Sequence, residues 1–238
     1  MFLASFIPKY ISNKTVLMAY RILAGMRVPR PVREKNHKQN LEQLPTLDGK
    51  IWSDPNVCIE NQQQWSDIRF GSGKHSSMSY SGCEIIAAFN AQKRLKGYGT
   101  PEEMADLIRY FEAGGAALWG EFGTSPLSLV KYFQKCSYDV LLSYGEENTM
   151  EAIERESQVM IATVYNDKQD ITRQIHTVCI TREPGQGYVL HNAYFVNKEG
   201  IYTASPAYAT LQEAVAHISR YETKLICLLG IGKRKQGR

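Results

Sequence analysis

The feature that most constrains this chain is a change of hydrophobic period along it. Up to about residue 134, apolar residues recur three and four positions apart; from residue 159 they fall in short β-branched or aromatic runs bounded by turn residues. Thr100-Pro-Glu-Glu103 predicts a helix start, with Thr as N-cap, Pro in the first turn and two carboxylates at the positive end of the dipole. Met104, Leu107, Ile108 and Phe111 follow at helical spacing. Thr124-Ser-Pro126 opens another helix, whose buried stripe is Leu127, Val130 and Phe133. A third helical segment runs from about Lys14 to Gly25, with Tyr20, Ile22 and Leu23 among its apolar positions. The later runs, Val159 to Tyr165, Ile175 to Thr181, Gly187 to Ala193 and Thr223 to Ile231, read as strands, with a helix from about Leu211 to Ser219 before the last. Helices first and antiparallel strands later predict an α+β fold, a helical lobe packed on an antiparallel β-sheet lobe. Residues 1–50 read as an N-terminal helical extension followed by a polar, Pro-punctuated linker from Pro29 to Pro45; residues 51–238 read as the main domain.

Composition removes several function classes. The 238 residues are 43% hydrophobic and 22% charged, which excludes a disordered, collagenous or low-complexity chain. No apolar stretch approaches the roughly 18 residues of a membrane span; Thr15 to Met26 is short and carries Arg21. The net charge of +4 arises from basic residues clustered at the two ends, Lys9 to Lys38 and Gly232 to Arg238, with no central stripe to follow a nucleic acid. Five irregularly spaced cysteines do not form a disulfide framework. With no CxxC, HExxH or EF-hand pattern, neither a metal nor a cofactor is expected. Met1 to Ile7 is apolar, but no basic residue precedes it and Pro8-Lys9 stops it early, so a cytoplasmic setting is expected.

Chemistry concentrates in two segments. Ser81-Gly-Cys83-Glu-Ile-Ile-Ala-Ala-Phe-Asn90 runs from a loop into an apolar helix, which puts Cys83 at the helix N-terminus. Unpaired N–H groups there favour a thiolate and can stabilise an oxyanion on a substrate carbonyl. A buried cysteine acting as a small hydrophobe is the alternative. Glu84, directly after it, is expected to point to solvent. In the second segment, Ile175 to Thr181 and Gly187 to Asn192 form a hairpin about a five-residue loop, so Thr181 would pair with Gly187 and His176 would stand opposite Asn192. An imidazole held by an amide can exchange a proton with a thiol. His191 is the rival base, pointing to the opposite face from Asn192.

The order Cys, His, Asn, with the thiol opening a helix and its partners on a hairpin, resembles a papain-like cysteine peptidase. The nearer likeness is to the bacterial bacteriocin-leader-processing (double-glycine) peptidases. Gln62-Gln-Gln-Trp65-Ser-Asp-Ile-Arg-Phe-Gly71 resembles their Gln, Trp and Gly stretch ahead of the nucleophile, and Ser81-Gly-Cys83 their nucleophile turn. Tyr98-Gly-Thr-Pro-Glu102 and Ala113-Gly-Gly115 resemble their helix openings, and Val159 to Val164 with Ile175-His176-Thr-Val-Cys179 their base-bearing strand pair. The likeness covers about residues 59 to 200. It implies Cys83 as nucleophile, His176 as general base and acid, Asn192 as the group fixing the imidazole, and a peptide or amide substrate. The usual oxyanion glutamine, six residues before the cysteine, is replaced by Ser77; Gln62, Gln63 or Gln64 could take its place, with Gln62 preferred.

Other features carry less. Gly71-Ser-Gly-Lys74 lacks the flanking Gly and Ser or Thr of a phosphate loop. Trp65 reads as a packing anchor, His75 as a solvated loop residue, Trp119 to Phe122 as a stretch able to line a cleft, and Cys179, Cys58, Cys136 and Cys227 as packing residues. Residues 1–50 would either cover the cleft or pack outside it. Two further functions fit the same residues: an acyltransferase using an amine in place of water, and a catalytically inactive binding module of the same fold.

Overall fold

A computed structural model describes residues 12–166, 175–218 and 225–234. Met1 to Ile7, Ser219, Thr223, Lys224 and the basic residues after Arg234 lie outside the described residues. Helices α1 (Asn13–Leu23), α2 (Arg30–Gln43), α3 (Cys83–Lys96), α4 (Pro101–Gly114) and α5 (Pro126–Lys135) precede strand β1 (Tyr138–Ser143). Helix α6 (Glu147–Glu156) then leads into β2 (Val159–Tyr165), β3 (Ile175–Glu183) and β4 (Gly187–His191), and α7 (Leu211–Ile218) into β5 (Leu225–Arg234). The strands form one sheet in the order β1-β5-β2-β3-β4, antiparallel throughout. The α+β organisation expected from the change of period is present. Among the described residues no helix is long and apolar enough to cross a membrane.

Alternation along the strands sets the two faces. Val159 and Ile161 of β2, Cys179 of β3, and Leu229 and Ile231 of β5 share a core with Ile85, Ile86 and Phe89 of α3 and Leu129 and Phe133 of α5. Met160, Ala162 and Val164 of β2, with Val178, Ile180 and Leu228, share the other core with Ile153 of α6 and Leu211, Ala214 and Val215 of α7. Every residue of β2 is buried, which is why it reads as an uninterrupted apolar run. Thr100 caps α4 in a full capping box: its hydroxyl accepts from the Glu103 N–H and the Glu103 carboxylate accepts from the Thr100 N–H, each at 3.2 Å.

Three expectations change. The stretch from Pro29 to Pro45 is not a linker: residues 30–43 are helix α2. Its inward face is made by Asn36 and Asn40, four residues apart, so no apolar period marks it. Asn36 Nδ2 donates to Gly71 O (2.9 Å) and Glu112 Oε1 (2.7 Å), and Asn40 exchanges hydrogen bonds with the Arg69 backbone. Strand β1 and helix α6 have no counterpart in the sequence reading: β1 is a short run of mostly part-buried or exposed residues, and α6 is largely polar, with Ile153 alone buried. Third, the β3–β4 hairpin turns over Pro184-Gly185-Gln186 and pairs Glu183 with Gly187 and Thr181 with Val189, two positions from the expected register. A two-residue shift keeps every side chain on its face. Gly187 is required at the turn: φ is 109°, and a Cβ there would lie 2.0 Å from Tyr208 O.

Candidate active site

Cys83 is the first residue of α3, behind Gly82, where a Cβ would meet Met78 O at 2.6 Å. The thiol is 5% exposed. Sγ donates to Glu84 Oε2 at 3.1 Å and lies 3.8 Å from Ile175 O, and the Thr177 N–H also approaches it. The sulfur therefore rests against the main chain on both sides of His176. Burial, then the Glu84 carboxylate, push the thiol well above its ordinary range; the Thr177 and Glu84 N–H groups only partly oppose them.

Glu84 is the clearest correction to the sequence reading. It is fully buried, not solvated, and sits beneath Cys83 with Gly123 and Thr124. Burial raises its carboxyl to about 7 against hydrogen bonds from Cys83 and from the Glu84 and Thr124 N–H groups, and Oε1 has no hydrogen-bond partner among the described residues.

His176, 6% exposed, donates from Nε2 to Asn192 O at 2.7 Å. A carbonyl only accepts, so Nε2 carries the proton and Nδ1 holds the basic lone pair. Burial lowers this imidazole to about 4 despite the carbonyl, leaving it neutral at pH 7. The sequence reading placed the Asn192 side chain on the imidazole; the main-chain carbonyl performs that contact. Tyr194, three residues past the end of β4, stacks its ring on His176 at 4.6 Å. Asn192 is in the left-handed region at φ 59°, a conformation asparagine tolerates, and this turns its carbonyl toward the histidine.

Gln62 is drawn to the same place. Its N–H donates to Asn192 Oδ1 (3.2 Å), its Oε1 accepts from Asn192 Nδ2 (3.3 Å), and its Nε2 donates to Ser79 O (3.1 Å) in the turn before Cys83. It bridges the nucleophile turn and the Asn192 loop, with one amide hydrogen already committed to Ser79. The structure thus brings Cys83, His176, Asn192 and Gln62 to one corner. Among the described residues no hydrogen bond joins the thiol to the imidazole.

Helix α1 lies over this corner. Leu17 and Tyr20 pack with Ala117, Tyr165, Ile175, Ile226 and Cys227 at the strand ends, and Asn13 Nδ2 donates to Leu225 O at 2.7 Å. The Tyr20 hydroxyl is raised by burial first, then by Glu84 and Cys83. Phe122 joins the same cluster, while Trp119 is half-exposed on a left-handed turn. Trp65 is buried edge-on against Trp52, as expected of an anchor. His75 is part-exposed and bound to Glu121.

A second cluster adjoins the first. His191 Nδ1 is 2.6 Å from Glu60 Oε1, its Nε2 is 2.9 Å from Thr181 Oγ1, and Glu60 Oε2 accepts from the Asn192 N–H at 2.9 Å. Burial alone would lower His191, but Cys58 and then Glu60 outweigh it and raise it to about 10. Cys58, read from the sequence as a packing residue, has these partners. Glu60 and Tyr194 carried no sequence signal, and Tyr20 only that of an apolar helix position, because each meets its partners at this corner through a tertiary contact. Comparison with known proteins finds no family model, curated protein or solved structure that matches the chain.

Proposed function

We propose that this chain is a papain-like thiol hydrolase that cleaves a peptide or amide bond, and that the described arrangement is its closed form. The observation that carries the reading is the His176 tautomer: Nε2–H is fixed on Asn192 O, so Nδ1 is the base, on a residue whose flanking main chain touches Cys83 Sγ. In the reaction the thiol turns from Glu84 to His176 and gives its proton to Nδ1. The thiolate adds to the substrate carbonyl at the N-terminus of α3, where main-chain N–H groups face the oxyanion. His176 returns the proton to the leaving amine as the C–N bond breaks, leaving a thioester. Water, deprotonated by Nδ1, then releases the acid and restores the thiol. Helix α1, seated by Leu17 and Tyr20, is the cover that must move for substrate to reach the sulfur.

Incubating the full-length protein with peptide and amide libraries, with products read by mass spectrometry, tests this. Hydrolysis by wild type and none by Cys83→Ala, at unchanged circular dichroism, is expected. Undiminished turnover by Cys83→Ala contradicts the reading. Products extended by an added amine would move the function to acyl transfer.

A further inference from the structure

We infer that Cys58, Glu60 and His191 form a binding site for a divalent transition-metal ion of the zinc class. One donor atom from each, a thiol sulfur, a carboxylate oxygen and an imidazole nitrogen, lies within 4.8 Å of the other two. Around tetrahedral zinc, with bonds of about 2.0–2.3 Å, neighbouring donors stand about 3.3–3.8 Å apart, so small side-chain movements close the set. Mixed S, N and O donation suits zinc and its neighbours and not the hard oxygen-seeking cations. Cys58 and His191 are buried, and Glu60 is largely so, which keeps competing water from most of the site.

The support around these donors distinguishes them from a chance grouping. Ile59, between the two chain-adjacent donors, is clamped at both main-chain groups by Asn90 of α3, its N–H to Oδ1 at 2.9 Å and its carbonyl from Nδ2 at 3.1 Å. That fixes the Cys58-Ile-Glu60 segment against a rigid helix. On the other side, Thr181 donates its hydroxyl proton to Glu183 Oε1 at 2.9 Å, so its oxygen accepts from His191 Nε2–H; Arg94 in turn pairs with Glu183. A metal-binding imidazole needs its second nitrogen held in this way, leaving Nδ1 to face the ion. Glu60 is held likewise, with Oε2 on the Asn192 N–H while Oε1 faces the donors. In the metal-free chain a proton occupies the place between Nδ1 and Oε1. Metal uptake displaces that proton and the Cys58 thiol proton, leaving a position for water. None of the three donors belongs to the residues assigned to thiol hydrolysis; Asn192 alone touches both sites, through its N–H to Glu60 and its carbonyl to His176.

The test uses the full-length, untagged protein, stripped with chelator and titrated with cobalt(II) and with zinc(II). One equivalent of cobalt is expected, with a thiolate-to-cobalt charge-transfer band in the near ultraviolet that zinc abolishes by displacement. Cys58→Ser should remove the band and weaken binding by more than about 100-fold. Thr181→Val, which leaves all three donors in place, should weaken it by about 10–100-fold. Cys83→Ser should leave both band and stoichiometry unchanged. Absence of a stoichiometric ion on the wild-type protein, binding that survives both Cys58→Ser and His191→Ala, or a band lost with Cys83→Ser each overturns the inference. Because the readout is optical and needs no turnover, its failure is separate from failure of the hydrolase reading.

Discussion

Two thiol–imidazole corners meet at adjacent residues of one strand end, and their imidazoles differ in charge, one neutral and one cationic. Asn192 presents a main-chain carbonyl to His176, and burial leaves that ring neutral, near 4. His191 lies between the Glu60 carboxylate and Cys58, and although burial is as complete it is raised to about 10. The neighbours decide the difference. The single main-chain carbonyl favours the His176 cation too little to offset burial, whereas Cys58 and then the Glu60 carboxylate more than repay the desolvation of an imidazolium at His191. At neutral pH the first ring is free to accept a proton, while the second already carries one, which a metal ion would have to displace. Glu60 joins the corners, holding His191 with one oxygen and the Asn192 N–H with the other.

The largest effect that could break this comparison is the loss of His176. His176→Ala should lower turnover by at least about 100-fold, the usual scale of a general base, with Michaelis constants changed far less; equal kinetics for both proteins would assign the base elsewhere. Next comes the cover. Leu17→Asp places a charge in the apolar seat of α1 and should raise the rate of Cys83 alkylation by iodoacetamide by about tenfold or more, equivalent to about 1.4 kcal/mol less to open the corner. An unchanged rate, with α1 shown displaced by proteolysis, would remove α1 as the cover. Smaller again, Glu60→Gln removes the carboxylate that holds the His191 Nδ1 proton and should destabilise the protein by about 1–3 kcal/mol in urea unfolding.

The smallest effect concerns Glu84. Its carboxyl is raised from 4.5 to about 7 in the folded chain, so its contribution to stability is whole below about pH 4.5 and lost as pH rises through 7. Glu84→Gln should flatten the fall in thermal midpoint between pH 5 and 7. Glu112, raised similarly by burial, retains part of it. His176 acts with the opposite sign: held down at about 4, it removes stability as pH falls from 6.5 toward 4. A wild-type slope unchanged in Glu84→Gln would mean that this carboxyl is not held near neutrality.

Local chemistry made much of this fold readable. Thr100 and Glu103 announce a cap, β2 is buried on both faces and so apolar throughout, and Gly82 before Cys83 marks a turn into a helix. Helix α2 was hidden because its inward face is asparagine, paired with Glu112 and the Gly71 and Arg69 backbones, partners far away in sequence. The hairpin was displaced by two residues because β3 continues through Arg182 and Glu183, polar positions that look like loop. At the corner itself, Cys83, His176, Asn192 and Gln62 lie together through contacts of the main chain around His176 and of the Asn192 and Gln62 amides. Glu84 was misplaced: a carboxylate after a helix start ordinarily faces water, and only the Gly123–Thr124 loop folding over it makes an inward position possible.

The most direct measurement is the pH dependence of Cys83 alkylation in the uncovered Leu17→Asp protein, with and without His176→Ala. The account predicts fast labelling well below the free-thiol value of about 8.5, and its loss when His176 is removed. Labelling that tracks an ordinary thiol in both proteins would mean that the two side chains never form a thiolate–imidazolium pair, and would contradict the proposed chemistry.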